Sequence, residues 1–464
     1  MSKVTELFIE NFQGISNRQV VQFGNFSLIF GENSAGKSSL ARALLLLGQS
    51  FSNGLLIKGD NAPRFFVFSG NLIDLVGFRN VVHKHDDTRV VSMGLRLEME
   101  DAQSFFRLSP IRRKTAKSDR VSVESIRFSV SESATGLQSL QLGWDFRASE
   151  GIDFLTIDFQ ADESGNLLIS SWDESSWSAT KRLLEIEGDV DYQIDLIKVL
   201  RFRLAAGVPA VKDNLASTPS ASQEILASAL TFLLQKTRFN LGFHLSTPSH
   251  IPSLRPIVER VSVRNTQLSA SKRIRQNLDK REGAANSYLQ QLTNNRYEVQ
   301  RRTYEGGEFS FLGEVEVNLL RDNFLNVSVS FQDVGVGLSQ VLPLLIALDS
   351  FSLQKSDGFA IVEQPELHLH PKMQAQLAEL MLETTESNGQ IIAETHSEPM
   401  LLRIQRIMRD RTLEGRSIPS VAIIYASFDP ELGTRFENLH LRSDLDFIVH
   451  MPTSFSDLRF EELS

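Results

Sequence analysis

Residues Gly31-Glu32-Asn33-Ser34-Ala35-Gly36-Lys37-Ser38 match the spacing G-x-x-x-x-G-K-[ST], and Ser39 follows directly. In such a loop successive backbone N–H groups converge on one concavity and cradle phosphates. Lys37 would reach the β- and γ-phosphates, and the Ser38 hydroxyl would ligate Mg²⁺. A helix that starts at the loop adds a favourable dipole for an anion.

A site of this kind needs a carboxylate for the metal, usually at the end of a buried strand. The run Phe359-Ala360-Ile361-Val362-Glu363 supplies one, and Gln364-Pro365-Glu366 follows. The bland reading of this run is a strand that ends in an acidic turn. Gln364 can orient a water but cannot take its proton, so either Glu366 is the base or hydrolysis is slow. A second apolar run, Ile391-Ile392-Ala393, leads through Glu394 and Thr395 to His396, which alone reads as a cap or a surface residue. Gly335-Val336-Gly337-Leu338-Ser339-Gln340 precedes an apolar stretch. It either offers a helix N-terminus to an anion or is a capped helix entry. His368 and His370 stand near Glu366 without a further ligand at metal-site spacing.

The elements that must position these residues are legible in outline. Strands are expected over 5–10, 20–23 and 26–30, the last running into the phosphate loop, with a Leu- and Ala-rich helix over 38–48 leaving it. Residues 93–171 alternate in short segments between turn clusters, which implies a mostly antiparallel lobe. Helices are expected over 181–206 and 220–236, a polar loop over 207–222, and one or two polar helices over 266–300. Strands over 315–320 and 326–331 follow, then a helix over 338–350, a strand over 359–362, a helix over 372–385, and strands over 390–393 and 421–425.

The chain has 464 residues, 41% hydrophobic and 23% charged, which is enough apolar material for a sizeable core. It has no cysteine, so disulfides, Cys-zinc sites and Cys nucleophiles are excluded. The formal net charge of -9 gives no support to binding nucleic acid through bulk charge. One window departs from this balance: residues 251–304 hold eleven basic and four acidic side chains, Arg255, Arg273, Arg275 and Arg281 among them. It suits DNA or an acidic protein, or is a solvated helix. No apolar run approaches a bilayer span, and the start MSKVTELFIENF has no signal-peptide core, so a soluble cytoplasmic protein without membrane contact is expected.

Taken in order, the four motif segments resemble the ATP-binding-cassette ATPase heads of the RecF, OLD and SMC-like branch, over about residues 1–50 and 325–400. The resemblance implies an α/β fold: an ATPase head with a mixed sheet and a phosphate loop, formed from both chain ends. On this reading residues 1–92 and 306–415 are its two halves. A β-rich lobe with helices is inserted over 93–240 and a basic helical segment over 241–305, and a tail domain occupies 416–464. The implied cofactors are ATP and Mg²⁺, with Gly31 to Ser39 on the nucleotide and Ser38 and Glu363 on the metal. Gly337, Leu338, Ser339 and Gln340 would form the signature loop that reaches the γ-phosphate bound by the other subunit. His370 would lie in the loop crossing the dimer interface, and His396 would sense the γ-phosphate. A homodimer or higher homo-oligomer with ATP at the interface follows from these roles. Where the wider family carries Asp-Glu this chain has Glu363-Gln364, which implies slow turnover.

The runs DVGVGLSQVLPLL, EQPELHLHPKMQAQLAE and ETHSEPMLLRIQR, with GNLIDLVGFRNVVH at 70–83 and HIPSLRP at 250–256, resemble a narrower bacterial ATPase subfamily. It includes ATPases of the PARIS and Septu anti-phage systems. That resemblance implies a sensor or scaffold that controls a separately encoded effector, a nuclease or toxin, in response to a phage protein. The alternative is a RecF-like ATP-gated clamp on DNA. An OLD-type nuclease fits less well, because only 68 residues follow His396 and Asp444-Leu445-Asp446 lacks a glutamate partner motif.

Overall fold

A computed structural model describes residues 2–52, 57–58, 63–99, 122–148, 151–161, 167–171, 201–203, 210–211, 236–237, 240–241, 245, 249–253, 255, 261–263, 286–304, 315–353, 359–386 and 389–439. Two large sheets organise them. The first has nine strands. β1 (Ser2–Glu10) pairs antiparallel with β2 (Gln19–Gln22) on one side and β4 (Val91–Met99) on the other. From β4 the sheet continues as an antiparallel meander through β5 (Ser122–Ser133), β6 (Gly136–Ala148) and β7 (Gly151–Ala161) to three short strands at Leu167–Ser171, Arg201–Arg203 and Ala210–Val211.

The second sheet has six strands in the order β8-β12-β13-β3-β14-β15. These are β8 (Ser249–Ile251), β12 (Phe359–Glu363), β13 (Gln390–Glu394), β3 (Phe26–Gly31), β14 (Val421–Asp429) and β15 (Gly433–Leu439). Every neighbouring pair is parallel except the β14–β15 hairpin. A parallel sheet covered on both faces needs strands that are apolar throughout rather than alternating. FSLIFG, FAIVE and QIIAE meet that need, and all five residues of β13 are buried.

The period of two along each strand divides these side chains between two cores. Ile29, Ile361, Ile392 and Ile424 face helix α1 (Lys37–Ser52) and the nine-stranded sheet. Leu28, Phe30, Val362, Ala393 and Tyr425 face the opposite core, formed with α2 (Val336–Leu353), α3 (Pro371–Glu386) and α4 (Glu398–Leu413). The leucine run of α1 is apolar nearly all round because it is clamped between two sheets, and Leu44, Leu46 and Leu47 are fully buried. A smaller sheet of β9 (Tyr297–Tyr304), β10 (Val315–Asp322) and β11 (Val327–Ser330) precedes α2, with Val261–Val263 at its edge.

Four expectations need correction. The β-rich region does not begin as a separate lobe at residue 93: β4 straddles that boundary and pairs with β1 along its whole length, so the sheet starts at the N-terminus. Residues 421–439 are not a tail domain, because β14 lies parallel to β3 from Val421 opposite Phe26 to Ala426 opposite Gly31. The helix expected to run to residue 300 ends early: 286–293 are helical, and Tyr297–Tyr304 is a strand pairing with β10 in eight consecutive registers. The helix expected over 181–206 contains a strand at Arg201–Arg203, while the rest of it, the helix over 220–236 except its last residue, and 264–285 lie outside the described residues. Helix α4 and strand β15 add elements to the C-terminal half that the periodicity did not reveal.

Candidate active site

The phosphate-loop residues connect the C-terminal end of β3 to the N-terminus of α1. The loop turns through left-handed backbone at Ser34 (φ 62°) and Gly36 (φ 91°). Gly36 is required twice over: its φ disfavours a side chain, and a Cβ there would lie 2.3 Å from Thr434 Oγ1 on β15. Lys37 is buried, and its Nζ donates to the carbonyls of Gly31 (2.9 Å) and Glu32 (2.6 Å). Burial lowers the pKa of this ammonium, and Glu394, Glu366 and Glu32 oppose the shift. The Ser39 hydroxyl donates to Gln13 Oε1 at 2.9 Å, which brings the turn after β1 against the start of α1.

Beside the loop stand three glutamates. Glu363 and Glu394 end neighbouring parallel strands and are register partners, with β13 lying between β12 and β3. Ser38 Oγ donates to Glu394 Oε1 at 2.8 Å. Glu394 is buried and its Oε2 has no hydrogen-bond partner. Burial is the main cause that pushes its pKa up, and the charge of Glu363 adds to it. Glu363 is shifted the other way, held below the usual range chiefly by a 2.9 Å hydrogen bond to His250 Nε2. Glu366 accepts the backbone N–H of His396 on Oε1 at 2.7 Å, and its buried Oε2 also has no partner. The intervening Gln364 has φ 42° and donates its N–H to the Glu394 carbonyl at 2.7 Å, which locks the turn between the two acids to the next strand end. The His396 ring is exposed, and partial desolvation followed by the nearby Lys37 lowers its pKa while Glu366 opposes.

Arg255 joins this cluster from outside the two expected halves. It is 5% exposed, and its Nη2 donates to the carbonyls of Glu363 (2.8 Å) and Gln364 (3.1 Å). Burial pulls its pKa down to about 10, against the fields of Glu366 and Glu363. Its backbone is tied to Gln340 near the start of α2. Both Ser339 and Gln340 are buried, and the Ser339 hydroxyl donates to the Val336 carbonyl at 2.9 Å. Gly337 packs so closely on the acid loop that a Cβ would lie 2.4 Å from the His368 carbonyl, while Gly335 and Val336 remain exposed. His370 is exposed at the head of α3, where its carbonyl accepts the N–H of Met373 at 2.8 Å.

The structure thus gathers Lys37, Ser38, Glu363, Gln364, Glu366 and His396 around one loop, and ties Gln340 to the acids through Arg255. It also places five residues there that sequence reasoning passed over: Glu394, Arg255, His250, Gln13 and Thr434. Glu394 carried the signal already applied to Glu363, an acid closing an apolar run. Arg255 was counted with a basic surface window, and its burial removes it from that surface. Of the other basic residues quoted from the window, Arg273, Arg275 and Arg281 lie outside the described residues. A buried, unpartnered carboxylate oxygen beside a serine hydroxyl fits a divalent cation with hard oxygen ligands. Among the described residues no group of three His, Cys, Asp or Glu side chains could hold a metal ion by itself. No helix among them is long and apolar enough to cross a membrane.

No curated protein matches the chain. Three of the solved structures similar to it are heads of SMC proteins. One is an SMC head bound to the C-terminal winged-helix domain of ScpA, 13% identical over 95% of this chain and 99% of that one, with a TM-score of 0.41. The SMC head domain from Thermotoga maritima is 11% identical over 94% of this chain and 99% of that one, with a TM-score of 0.40. An SMC head with an extended coiled coil, bound to the C-terminal domain of ScpA derived from Pyrococcus furiosus, is 11% identical over 100% of both chains, with a TM-score of 0.40. Residues 220–401 match the family model AAA_15, an AAA ATPase domain; that stretch contains Arg255, Gln340, the three glutamates and His396, and the phosphate loop that completes their site lies N-terminal to it.

Proposed function

We propose that this chain binds ATP with Mg²⁺ at the loop Gly31 to Ser39, hydrolyses it slowly, and uses the nucleotide state to hold or release a separate effector in bacterial anti-phage defence. The observation that carries the ATPase reading is the convergence of the glutamates 363, 366 and 394, from two separate segments, onto Lys37 and Ser38 of one phosphate loop. Lys37 would exchange the Gly31 and Glu32 carbonyls for phosphate oxygens. Mg²⁺, held by Ser38 and Glu363, would neutralise charge on the phosphates. Gln364 would orient the attacking water, and Glu366, whose Oε2 is uncommitted, would accept its proton. His396 would sense the γ-phosphate. Two chains would meet across ATP, as a homodimer or higher oligomer, with the exposed residues Gly335 and Val336 leading the signature loop toward the partner and His370 in the interface.

The defence reading rests on the sequence runs around residues 70–83, 250–256, 333–345, 363–379 and 394–406 that resemble PARIS and Septu ATPases. The effector, and a phage protein as trigger, belong to that reading, as does a cytoplasmic location. A DNA clamp is the second reading; burial of Arg255 takes one charge from the window that would serve it. The test combines light scattering with and without ATP and Mg²⁺, and phage challenge of cells carrying the gene with its neighbours. ATP-dependent oligomers and protection lost in Lys37→Ala are expected. Protection unaffected by that substitution would remove the nucleotide-state mechanism, and salt-dependent duplex binding by the purified protein would favour the clamp.

A further inference from the structure

We infer that Glu394 is a direct partner of the cation that accompanies the nucleotide, alongside Ser38 and Glu363; this assignment rests on the ATPase reading above. The Ser38 hydroxyl has one proton, and that proton points to Glu394 Oε1 at 2.8 Å. A hydroxyl so committed turns its lone pairs away from the carboxylate, toward the loop where phosphates would lie, which is the orientation a metal-ligating serine needs. The second oxygen of the same carboxylate is buried and has no hydrogen-bond partner. Glu394 as a whole is 5% exposed, so water does not compensate that oxygen through the surface. A buried carboxylate oxygen in this position asks for a charge or a donor.

The strand geometry says which charge. Glu363 and Glu394 are opposite each other in register. By the alternation that sends Ile361 and Ile392 toward α1, the two carboxylates leave the sheet on that same face, at the end where α1 begins with Lys37 and Ser38. Two like charges side by side are mutually unfavourable unless a cation stands between or beside them. The resident cations meet the pair only in part: His250 bonds Glu363, Lys37 Nζ is bonded to the Gly31 and Glu32 carbonyls, and Arg42, exposed one turn along α1, acts on both acids only through its field, so Glu394 Oε2 stays without a partner. The described side chains cannot hold a metal without further ligands. The cation would therefore arrive with the phosphates that supply the remaining oxygens, as Mg²⁺ does at sites with few carboxylates. The competing role for Glu394 is that of a cap that merely orients Ser38.

Calorimetry on the full chain separates the two roles. ATP affinity is measured in Mg²⁺ and again in EDTA, for the native protein, Glu394→Gln and Lys37→Ala. The glutamine keeps an Oε1 that accepts the Ser38 proton and replaces the second oxygen, with the charge, by an NH₂ group that cannot ligate a cation. If Glu394 meets the cation, the affinity of Glu394→Gln for ATP in Mg²⁺ itself drops, and the gain in affinity on adding Mg²⁺ falls by about 10–100-fold. Mn²⁺ bound with ATP, followed by electron paramagnetic resonance, should weaken in parallel. An undiminished Mg²⁺-dependent gain in Glu394→Gln overturns the assignment and leaves the capping role. Should the glutamine variant fail to fold, Glu394→Asp takes its place, with the same loss expected from a carboxylate withdrawn by one methylene and the same overturning result. Native protein that does not bind ATP at all, or Lys37→Ala that binds it normally, sinks the ATPase reading itself and the assignment with it.

Discussion

Arg255 and Gln340 hold each other by a reciprocal pair of hydrogen bonds: the Arg255 N–H donates to Gln340 Oε1 at 3.1 Å, and Gln340 Nε2 donates to the Arg255 carbonyl at 2.9 Å. The guanidinium of the same arginine then grips the backbone of Glu363 and Gln364. One buried residue therefore joins the exposed head of α2 to the acids at the end of β12. The hydrogen-bonded connection from Val336 to Glu363 runs through Ser339, Gln340 and Arg255 without crossing the phosphate loop.

Arg255→Lys keeps the charge but has no fork with which to bridge two carbonyls. ATP affinity should stay within about twofold, since the phosphate loop is untouched. Turnover should fall by up to about 100-fold, the cost of small misplacements in a catalytic array. Single-turnover kinetics beside calorimetry would check this. Equal losses in both quantities would mean that the arginine serves stability alone.

Lys37→Ala should abolish measurable ATP binding in calorimetry. The variant loses the ammonium that the fields of Glu394, Glu366 and Glu32 keep available against burial. Unchanged affinity would show that the loop is not the site.

Glu366→Gln should retain ATP and lose hydrolysis, because an amide at Oε2 cannot accept a proton. Gln364→Glu should raise turnover if that side chain faces the attacking water, and the fold should persist, as only its backbone is locked to β13. Hydrolysis by Glu366→Gln at the native rate, measured as phosphate release, would pass the chemistry to Gln364 or to the partner subunit.

Gly36→Ala should be severely destabilising or fail to bind nucleotide. Its φ of 91° and the 2.3 Å approach to Thr434 Oγ1 act together. Pairing it with Thr434→Gly removes the obstacle but not the backbone strain, so partial recovery is expected in thermal melts.

The turn between β10 and β11 offers a pH test away from the nucleotide. Asp322 accepts the N–H groups of Phe324 and Leu325 on Oδ1 and the Arg296 guanidinium on Oδ2. The Arg296 hydrogen bond is the largest cause holding its pKa below the usual aspartate range. A depressed acid stabilises the fold fully above its unfolded pKa and loses that contribution as pH falls through the folded value. Asp322→Asn should therefore melt lower than the native protein at neutral pH, with the difference shrinking in acid. A gap that is constant with pH would contradict it.

The sequence made the four central strands of the six-stranded sheet legible because they are short, apolar and closed by acids or glycine, and it left the two edge strands unread. Phe26–Gly31, Phe359–Glu363 and Gln390–Glu394 lie within a residue or two of the expected limits. The order of motifs could not show that β13 stands between β12 and β3, and so could not show that Glu394 rather than Glu363 touches Ser38. Arg255 was hidden for a different reason. Charge counting treats an arginine as surface, and only burial against two carbonyls distinguishes this one. Residues 297–300, the start of the strand Tyr297–Tyr304, were read as helix because polar residues on a strand and on an exposed helix look alike until a partner strand is known.

Thr434 packs against both Gly14 and Gly36, so the phosphate loop leans on a strand some four hundred residues further along the chain. A chain emerging from the ribosome exposes its nucleotide loop early and lacks the wall of that loop until β14 and β15 have been made. The central strand β3 must likewise wait for both of its neighbours. Contacts of such long sequence separation slow folding and leave unpaired strand edges in the meantime. ATP competence should thus appear only near the end of synthesis, and a product truncated before residue 421 should capture no nucleotide.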